Sequence, residues 1–457
     1  MNLERVIFGR ILLPAAYSVM GDGRIAQIPR FLASERWSPE ALERDQVDKL
    51  RKLLVHAGKR VPYYRDLFHS LRFDPASFES LAQLKALPPM TREVVKGQLD
   101  RFLAEGMTAN AYRRDATGGS TGTPMEFFHE ERYRSLTTAA ALRTRTWAGW
   151  QPGCRTAWIW GAPQETQAWK TLRGRAIGWI SRNLYVDAFR AGPSEMQDWL
   201  RRITDFKPEF VYGYASSIAH FAAFLDSRNI RIEGVRGVFS TAEKLHDWQR
   251  EVIERVFQCK VFDHYGSREV KAIAAQCEAG SMHILADLNL VEMEDPSAEA
   301  SPLLITSLEN YAMPFIRYRI GDVGALQPGR CTCGRVLPRL SLTIGRQTDM
   351  FVTPEGRHVH GEYFTHLMYG MPGVASFQFY QPTPERVILR AVPDASFDEG
   401  VRRRLLALDA KIRREVSPAI GLEISLVDEI PPSPTGKFRF TWSDVSAHVA
   451  PDATTAS

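Results

Sequence analysis

Early in the chain, apolar residues recur at the spacing of an α-helix. In its middle, short apolar runs typical of strands alternate with segments that have the spacing of helices. Residues 41–68 carry an apolar face up to the turn at Val61 and Pro62, which predicts an amphipathic helix. Short apolar strands at 209–212, 235–239 and 260–262 are separated by segments with apolar residues three and four positions apart. Strands that alternate with helices predict a parallel or mixed α/β sheet.

The loops that follow these three strands are rich in polar residues. Because ligands of such sheets bind beyond the carboxyl ends of the strands, we expect the site around residues 213–216, 240–244 and 264–269. The first of these loops is expected to be a turn ahead of the next helix.

The pattern changes after Asp349. Strand-like runs at 377–380, 387–391 and 422–427 surround a predicted helix from about 398 to 416. These elements predict a small α+β domain of about a hundred residues, which is an ordinary domain size. We therefore expect a large N-terminal domain at 1–346 and a small C-terminal domain at 347–457.

The N-terminal residues 6–19 form an apolar stretch that Arg10 interrupts. The stretch is too short to span a bilayer and has no clean small-residue cleavage site. It predicts a helix packed on the domain, with loose attachment to a membrane surface as the alternative.

Composition narrows the class of protein. The chain has 457 residues, 44% of them hydrophobic and 24% charged, as in a globular protein with more than one domain. The net charge is +5, and the basic residues are scattered along the chain without aromatic residues between them. Nucleic acid is therefore not expected as a partner. Five sparse cysteines do not form a secreted disulfide framework, which favours a reducing, cytoplasmic location.

A glycine- and hydroxyl-rich loop is the most specific local signal. Its backbone amides and hydroxyl groups are suited to phosphate oxygens, although a plain linker has the same composition. No lysine follows the glycines, which argues against a common P-loop ATPase that produces ADP. The loop consists of Thr117, Gly118, Gly119, Ser120, Thr121, Gly122, Thr123 and Pro124.

Four more motifs follow this loop in order. They are Tyr-Gly-Ser-Arg-Glu at 265–269, Tyr-Arg-Ile-Gly-Asp at 318–322, Gly-Arg-Gln-Thr-Asp at 345–349 and Pro-Thr-Gly-Lys at 434–437. This order resembles the adenylate-forming superfamily of acyl-CoA synthetases, luciferases and peptide-synthetase adenylation domains. Residues 312–319 and the Cys-Thr-Cys-Gly-Arg stretch at 331–335 are similar to the phenylacetate–CoA ligase-like branch, and within it to the capsular-polysaccharide CapK-like group.

The resemblance covers residues 38–442 and implies an α/β fold. Its large N-terminal adenylate-forming domain has mixed sheets and helices, and its small C-terminal domain is α+β. The implied activity is that of an AMP-forming ligase, which uses ATP and Mg²⁺ to convert a carboxylic acid to an acyl-adenylate. Coenzyme A is the implied acceptor of the acyl group.

The resemblance also implies a role for individual residues. The loop 117–123 holds the β- and γ-phosphates, Glu269 ligates Mg²⁺, and Asp322 accepts hydrogen bonds from both ribose hydroxyls. Lys437 reaches in from the small domain to stabilise charge during adenylation, and Gly356 lines the passage of the thiol after domain rotation. The remaining nucleotide-binding residues are Ser240, Thr241, Ala242, Glu243, Asp263, Tyr265 (stacked on adenine), Gly266, Ser267 and Arg346.

Four residues, in or next to three of the motifs, depart from the superfamily pattern. Arg268 stands where Thr or Ser is usual, and its guanidinium either donates to the α-phosphate or pairs with Glu269 and weakens Mg²⁺ binding. Met125 and Glu126 follow the phosphate loop, where lysine is frequent. Thr348 occupies the hinge position, where Asp or Lys is common. Because Glu269, Asp322 and Lys437 are retained, the expected protein is an active, divergent enzyme.

Cys277, His283, Cys331 and Cys333 form a second constellation. Three thiolates and one imidazole make the closed tetrahedral set that structural Zn²⁺ prefers, and some members of the phenylacetate–CoA ligase-like branch carry zinc at the matching residues. The predicted zinc ties the segment after Glu269 to the segment after Asp322. The alternative is a group of reduced, buried thiols around a core histidine.

The remaining expectations concern the acid and the reaction. Trp160, Tyr212 and Tyr214, with Trp158, are candidates for the acyl-pocket wall, although aromatic residues at strand ends are more often core. His264 either touches the acyl group or packs in the core. Two alternatives to the CoA ligase remain: an adenylate-dependent amide or ester synthetase, and a non-catalytic nucleotide-binding adapter in polysaccharide assembly. A monomer or homodimer is expected.

Overall fold

A computed structural model describes residues 3–116, 125–161, 169, 171–188, 193–344, 350–368, 371–430 and 440–445. The α-helices within these ranges are α1 (Leu3–Val6), α2 (Leu13–Val19), α3 (Arg24–Ser34), α4 (Pro39–Arg60), α5 (Pro62–Ser70), α6 (Arg92–Lys96), α7 (Leu99–Phe102), α8 (Glu131–Arg145), α9 (Leu172–Ile180), α10 (Pro193–Phe206), α11 (Ala215–Asp226), α12 (Asp247–Phe257), α13 (Gly361–Leu367) and α14 (Glu399–Glu415).

The strands are β1 (Tyr112–Ala116), β2 (Glu126–Glu130), β3 (Thr156–Trp160), β4 (Asn183–Asp187), β5 (Phe210–Tyr214), β6 (Gly237–Thr241), β7 (Val261–Tyr265), β8 (Ala274–Gln276), β9 (Met282–Ile284), β10 (Asn289–Met293), β11 (Ser301–Ser307), β12 (Tyr318–Gln327), β13 (Arg339–Ile344), β14 (Met350–Val352), β15 (His358–His360), β16 (Val374–Thr383), β17 (Arg386–Pro393), β18 (Gly421–Leu426) and β19 (Thr441–Ser443).

Within the described part of the chain, one sheet of eleven strands runs in the order β10-β11-β12-β13-β9-β8-β7-β6-β5-β3-β4. Strands β4, β3, β5, β6 and β7 are parallel neighbours, and the other pairings are antiparallel. The predicted mixed α/β sheet is therefore confirmed. The turn expected at 213–216 is wrong, because β5 continues through Tyr214 and α11 begins at once with Ala215.

The parallel half of the sheet lies between two hydrophobic cores. Because side chains alternate along a strand, Phe210, Phe239 and Phe262 face the first core. The residues beside them on the other face, such as Val211 and Val238, belong to the second core with α10, α11 and α12. The described residues thereby cover both faces of the parallel half of the sheet, and the ends of its strands are the expected place for a nucleotide.

The helix predicted over 41–68 is two helices. Pro62 lacks the N–H that would continue the ladder, so α4 ends at Arg60 and α5 starts at Pro62. The N-terminal stretch packs on the domain as expected: Gly9 lies so close to Pro152 that a side chain would not fit, and Leu13 is buried. In the described residues, no helix has both the length and the apolar character needed to cross a membrane.

The C-terminal residues form a four-stranded sheet in the order β18-β17-β16-β19, with α14 packed against it. Their hydrophobic core draws its members from 351–440 and is separate from the other two cores. Tyr363 contacts both this core and the second core of the larger part. The boundary expected at 346 and 347 lies outside the described residues and stays a prediction.

Candidate active site

The three loops expected to form the site do meet. The backbone N–H of Ser216, in the first turn of α11, donates to Glu243 Oε2 over 2.9 Å. The ring of Tyr212 lies 6.0 Å from that of His264 across β6. Ala242, between Thr241 and Glu243, has φ of 70°, a left-handed conformation that costs an alanine about 1 kcal/mol. The loop after β6 is therefore held in a fixed, strained form beside the start of α11.

Two hydrogen bonds bring together the residues expected around the nucleoside. The phenol of Tyr265 donates to Asp322 Oδ2 over 2.8 Å, which joins the end of β7 to β12 across 57 positions of sequence. One strand away, the hydroxyl of Ser240 donates to Asp263 Oδ1 over 2.8 Å. Burial raises the pKa of Asp263 to about 6, and the Ser240 hydrogen bond only partly opposes this. Gly266 and Ser267 continue from Tyr265 into a turn closed by Val270.

Glu269 is fully buried and carries an ion pair. Arg92 Nη2 lies 3.2 Å from Glu269 Oε1, and the phenol of Tyr318 donates to the same oxygen over 3.2 Å. His129 Nε2 donates to the Glu269 carbonyl oxygen over 2.8 Å. Burial lowers the pKa of His129 to about 3, so its imidazole is neutral. Arg268 is half-buried beside this group.

The motif at 318–322 therefore contacts the motif at 265–269 at two points. Tyr318 reaches Glu269, and Asp322 reaches Tyr265. The contacts of Arg92 and Tyr318 with Glu269 were not predicted from the sequence. Arg92 lies 177 positions from Glu269, and it belongs to none of the five motifs.

Several predicted site residues lie outside the described residues. They are the phosphate loop 117–124, with Thr117 to Thr123, the segment 345–349, with Arg346 and Thr348, and Lys437. The two strands that flank the phosphate loop are described: β1 and β2 pair antiparallel from Tyr112 opposite Glu130 to Ala116 opposite Glu126. Strands β1 and β2 thus form an antiparallel hairpin pair on either side of the predicted phosphate loop.

The candidate acyl-pocket residues form one aromatic cluster on β3 and β5. Trp160 stacks on Tyr214 with ring centroids 4.3 Å apart, and Trp158 lies 4.4 Å from Tyr212. Trp158 also contacts Tyr185 of β4 at 5.9 Å. Tyr185 lines a cavity of about 1430 Å³ that extends to Asp115 and Lys271, beside the hairpin. The cluster therefore borders a large cavity through Tyr185.

The four candidate metal ligands lie together, as the sequence predicts. Their ligand atoms are all within 4.8 Å of one another. Cys277 Sγ is 3.8 Å from Cys331 Sγ, and Cys333 Sγ is 3.3 Å from His283 Nε2. Tetrahedral Zn–S bonds of about 2.3 Å place two sulfurs about 3.8 Å apart, so the spacing fits zinc. His283 Nδ1 donates to the Leu337 carbonyl over 2.8 Å, which leaves Nε2 directed at the thiols.

Comparison with known proteins agrees with the family resemblance that the motifs indicate. Residues 351–444 match the family described as CapK C-terminal domain. The chain is 26% identical over 410 residues to a phenylacetate-coenzyme A ligase of Thermus thermophilus, covering 86% of each chain. It is 23% identical over 376 residues to Protein CapK of Staphylococcus aureus, covering 80% of this chain and 81% of that protein.

The fold also agrees with a solved structure. A 2-hydroxyisobutyryl-CoA ligase in complex with 2-HIB-AMP and CoA superposes with a TM-score of 0.62 at 18% identity, covering 92% of this chain and 93% of that one. These matches confirm the resemblance to the adenylate-forming superfamily, its phenylacetate–CoA ligase-like branch and the CapK-like group. They also confirm the fold class.

Proposed function

We propose that this chain, as a relative of phenylacetate–coenzyme A ligases, is an AMP-forming ligase that activates a carboxylic acid with ATP and Mg²⁺. In the first step a carboxylate oxygen attacks the α-phosphorus, the bond to the β-phosphate breaks, and pyrophosphate leaves. In the second step an acceptor attacks the acyl carbon and AMP leaves. The 2-hydroxyisobutyryl-CoA ligase that shares this fold was solved with an acyl-AMP and CoA bound, which supports coenzyme A as the acceptor.

The contact that carries this proposal is the hydrogen bond from Tyr265 to Asp322. It holds a ring and a carboxylate side by side at the carboxyl end of β7, where a nucleoside requires a stacking surface and an acceptor for its ribose hydroxyls. Ser240 and Asp263 add a carboxylate at the same strand ends. We assign adenine to Tyr265 with the loop after β6, and the ribose to Asp322.

We assign the triphosphate of ATP to the loop 117–123 and the Mg²⁺ that accompanies it to Glu269. A carboxylate is a suitable ligand for Mg²⁺, which when bound neutralises phosphate charge during the attack. Arg92 already balances the charge of Glu269. We therefore propose that the metal binds with the triphosphate and not before it. Arg268 is assigned to the α-phosphate, and Lys437 to the charge on the phosphate and the carboxylate.

We propose a structural zinc at Cys277, His283, Cys331 and Cys333. With four protein ligands and no open position, the ion would have no direct part in the reaction. It would fasten the β8–β9 hairpin to the turn between β12 and β13, near Glu269 and Asp322.

A reducing, cytoplasmic location belongs to the same proposal. All five cysteines are free thiols in the structure. The proposed partners are small molecules, since the net charge of +5 comes without a nucleic-acid motif in the sequence, and the proposed state is a monomer or homodimer. An amine or hydroxyl acceptor, giving an amide or ester, is the alternative to coenzyme A.

One observation favours a second function, a nucleotide-binding adapter without catalysis. The Arg92–Glu269 ion pair occupies the carboxylate that would bind Mg²⁺. An adapter would bind ATP or AMP and form no pyrophosphate with any acid.

The test is release of pyrophosphate and AMP from ATP and Mg²⁺ with pooled aromatic, aliphatic, hydroxy and amino acids, with and without coenzyme A. Acid-dependent pyrophosphate that disappears in Glu269→Ala is expected. An increase with coenzyme A identifies the thioester ligase, and no increase points to an amine or hydroxyl acceptor. Nucleotide binding with no pyrophosphate from any pool would overturn the ligase in favour of the adapter.

A further inference from the structure

Arg145, the last residue of α8, differs from every other buried arginine in the described part of the chain. That part contains six buried arginines, and five of them form an ion pair with a carboxylate. Arg145 is only 7% exposed and forms no such pair with a described residue. The five paired residues are Arg92, Arg143, Arg182, Arg317 and Arg335.

Its neighbour on the same helix makes the contrast clear. Arg143 is fully buried, and its guanidinium reaches Asp287 over 2.6 Å and Glu35 over 3.4 Å. Two positions later, Arg145 points instead to the aromatic cluster. Its guanidinium carbon lies 4.4 Å from the ring centre of Tyr212 and 4.9 Å from that of Trp158.

The groups that face Arg145 are neutral. They are the phenols of Tyr212, Tyr185 and Tyr17, together with His264. Burial lowers the pKa of His264 to about 3, and the charge of Arg145 acts in the same direction, so the imidazole carries no charge. Burial also lowers the pKa of Arg145, yet a guanidinium stays protonated at neutral pH.

The cluster also contains polar atoms without a hydrogen-bond partner among the described residues. Arg145 Nε is buried and unbonded, and so are the indole nitrogens of Trp158 and Trp160. All three are donors with no acceptor capacity. A buried donor without an acceptor is unfavourable, and three of them in one aromatic cluster, one belonging to the cation itself, favour a ligand that brings acceptor atoms.

From this arrangement we infer that the acid carries a second anionic oxygen group, which Arg145 binds within the aromatic cluster. The inference rests on the proposed function and names its substrate class: a planar, aromatic acid with a second carboxylate. The rings of Trp158 and Tyr212 pack against the guanidinium, and its Nε has no hydrogen-bond partner among the described residues, so this planar N–H edge is suited to a carboxylate. The acid would reach the cluster from the cavity that Tyr185 lines.

The experiment compares matched acids with one and two carboxylates: phenylacetate with 3- and 4-carboxyphenylacetate, and benzoate with isophthalate and terephthalate. Binding is measured by calorimetry in the presence of a non-hydrolysable ATP analogue, and adenylation by ATP–pyrophosphate exchange. The variants are Arg145→Met, which keeps the volume without the charge, and Arg145→Lys, which keeps the charge without the planar fork. Arg201→Met, an exposed arginine on α10, is the control.

We expect the wild type to bind at least one diacid about 30-fold more tightly than its monoacid, a ratio typical of one charged hydrogen-bonded pair. Arg145→Met should bind both equally, Arg145→Lys should fall between, and Arg201→Met should behave as the wild type. Equal affinity for monoacids and diacids in the wild type, or a parallel loss for both in Arg145→Met, would overturn the inference.

The two readouts separate this inference from the proposed function. Pyrophosphate exchange that is absent with every acid counts against the ligase. A diacid preference in calorimetry that depends on Arg145 would still support the binding site. A melting temperature of Arg145→Met close to that of the wild type confirms that the variant is folded.

Discussion

Asp263 is a residue of the candidate site whose charge changes in the pH range of an ordinary assay. Burial raises its pKa to about 6, so the carboxyl is protonated below that pH and ionised above it. Only the ionised form is purely an acceptor for the 6-amino group of adenine. We expect the affinity for adenosine to rise about tenfold between pH 5 and pH 7, the difference between a charged and a neutral acceptor.

Adenosine is chosen because, unlike ATP, it has no phosphate that titrates in this range. Calorimetric titrations at several pH values give the affinity, and Asp263→Asn should bind weakly with no pH dependence. The same dependence in Asp263→Asn would assign the titration to another group. The raised pKa has the opposite effect on stability. The free energy of unfolding falls as the pH rises from 3.8 to about 6, because the unfolded carboxyl loses its proton in this range while the folded one still holds it.

The ion pair between Arg92 and Glu269 is a second place where we expect one side chain to have a large effect, here on the free energy of unfolding. Removing Arg92 leaves a fully buried carboxylate without its cation. We expect Arg92→Gln to lower the free energy of unfolding by about 3–5 kcal/mol, and Mg²⁺ with ATP to restore part of it. Urea unfolding with and without the metal nucleotide measures both effects.

A double-mutant cycle provides the control for this pair. Glu269→Gln removes the charge that Arg92 balances, so the double variant should be more stable than Arg92→Gln alone. Additive losses would mean that the two side chains do not interact, and Arg92 would then have no part in Mg²⁺ binding.

Among the secondary-structure elements, the β8–β9 hairpin and the turn between β12 and β13 meet at the cysteine and histidine cluster. His283 in β9 pairs with Arg339 in β13, but this ladder has only two residue pairs. A zinc ion at the four ligands would add the main cross-link between these elements. We therefore expect about one zinc per purified chain, with Cys331→Ser losing most of it and melting at a lower temperature.

Metal content by mass spectrometry and the melting temperature check this prediction. Cys259→Ser is the matched control, because Cys259 lies outside the cluster and should leave the zinc in place. A metal-free wild type with the same melting temperature as a zinc-treated sample would contradict the zinc proposal.

The elements also reveal what a sequence pattern predicts well. Short apolar runs locate β5, β6 and β7, because the sheet is covered on both faces, and apolar residues three and four positions apart locate the helices between them. Strand ends are displaced by about two residues, since Tyr214 and Thr241 belong to strands although the sequence pattern assigns them to the turn and the loop that follow. Periodicity holds no information on which distant residues meet, so the Arg92–Glu269 pair was not predicted.

The sequence predicted part of the candidate site, as it did part of the fold. Motif order places Tyr265 and Asp322 near one nucleotide, and the structure joins them by a hydrogen bond. The metal-ligand set was predicted from the residue types together with the resemblance to the phenylacetate–CoA ligase-like branch, and the structure brings the four residues together. Arg145 was not predicted, because an arginine at a helix end is ordinary in a sequence; what distinguishes it is that no described carboxylate pairs with it.

For the molecule as a whole, the proposed mechanism requires the small C-terminal part to present different residues to the two half-reactions. Lys437 is assigned to adenylation and Gly356 to acyl transfer. Gly356 lies in the turn between β14 and β15 with φ of 74°, and apart from its chain neighbours no described residue has an atom within 4 Å of the position where a Cβ would stand. A side chain here would meet no other described residue in this conformation, so we expect an effect on transfer to arise in another arrangement of the two parts.

We therefore expect opposite selectivity from two variants. Lys437→Ala should lower adenylation at least about a hundredfold, as the loss of one charge-stabilising group does, and should spare transfer from preformed acyl-adenylate. Gly356→Asn should spare adenylation and slow transfer, because asparagine tolerates positive φ but adds bulk at the thiol passage. Pyrophosphate exchange measures the first half-reaction, and thioester formation from supplied acyl-adenylate measures the second. Equal loss of both steps in either variant would argue against rotation, since a site that keeps one conformation has no means of separating them.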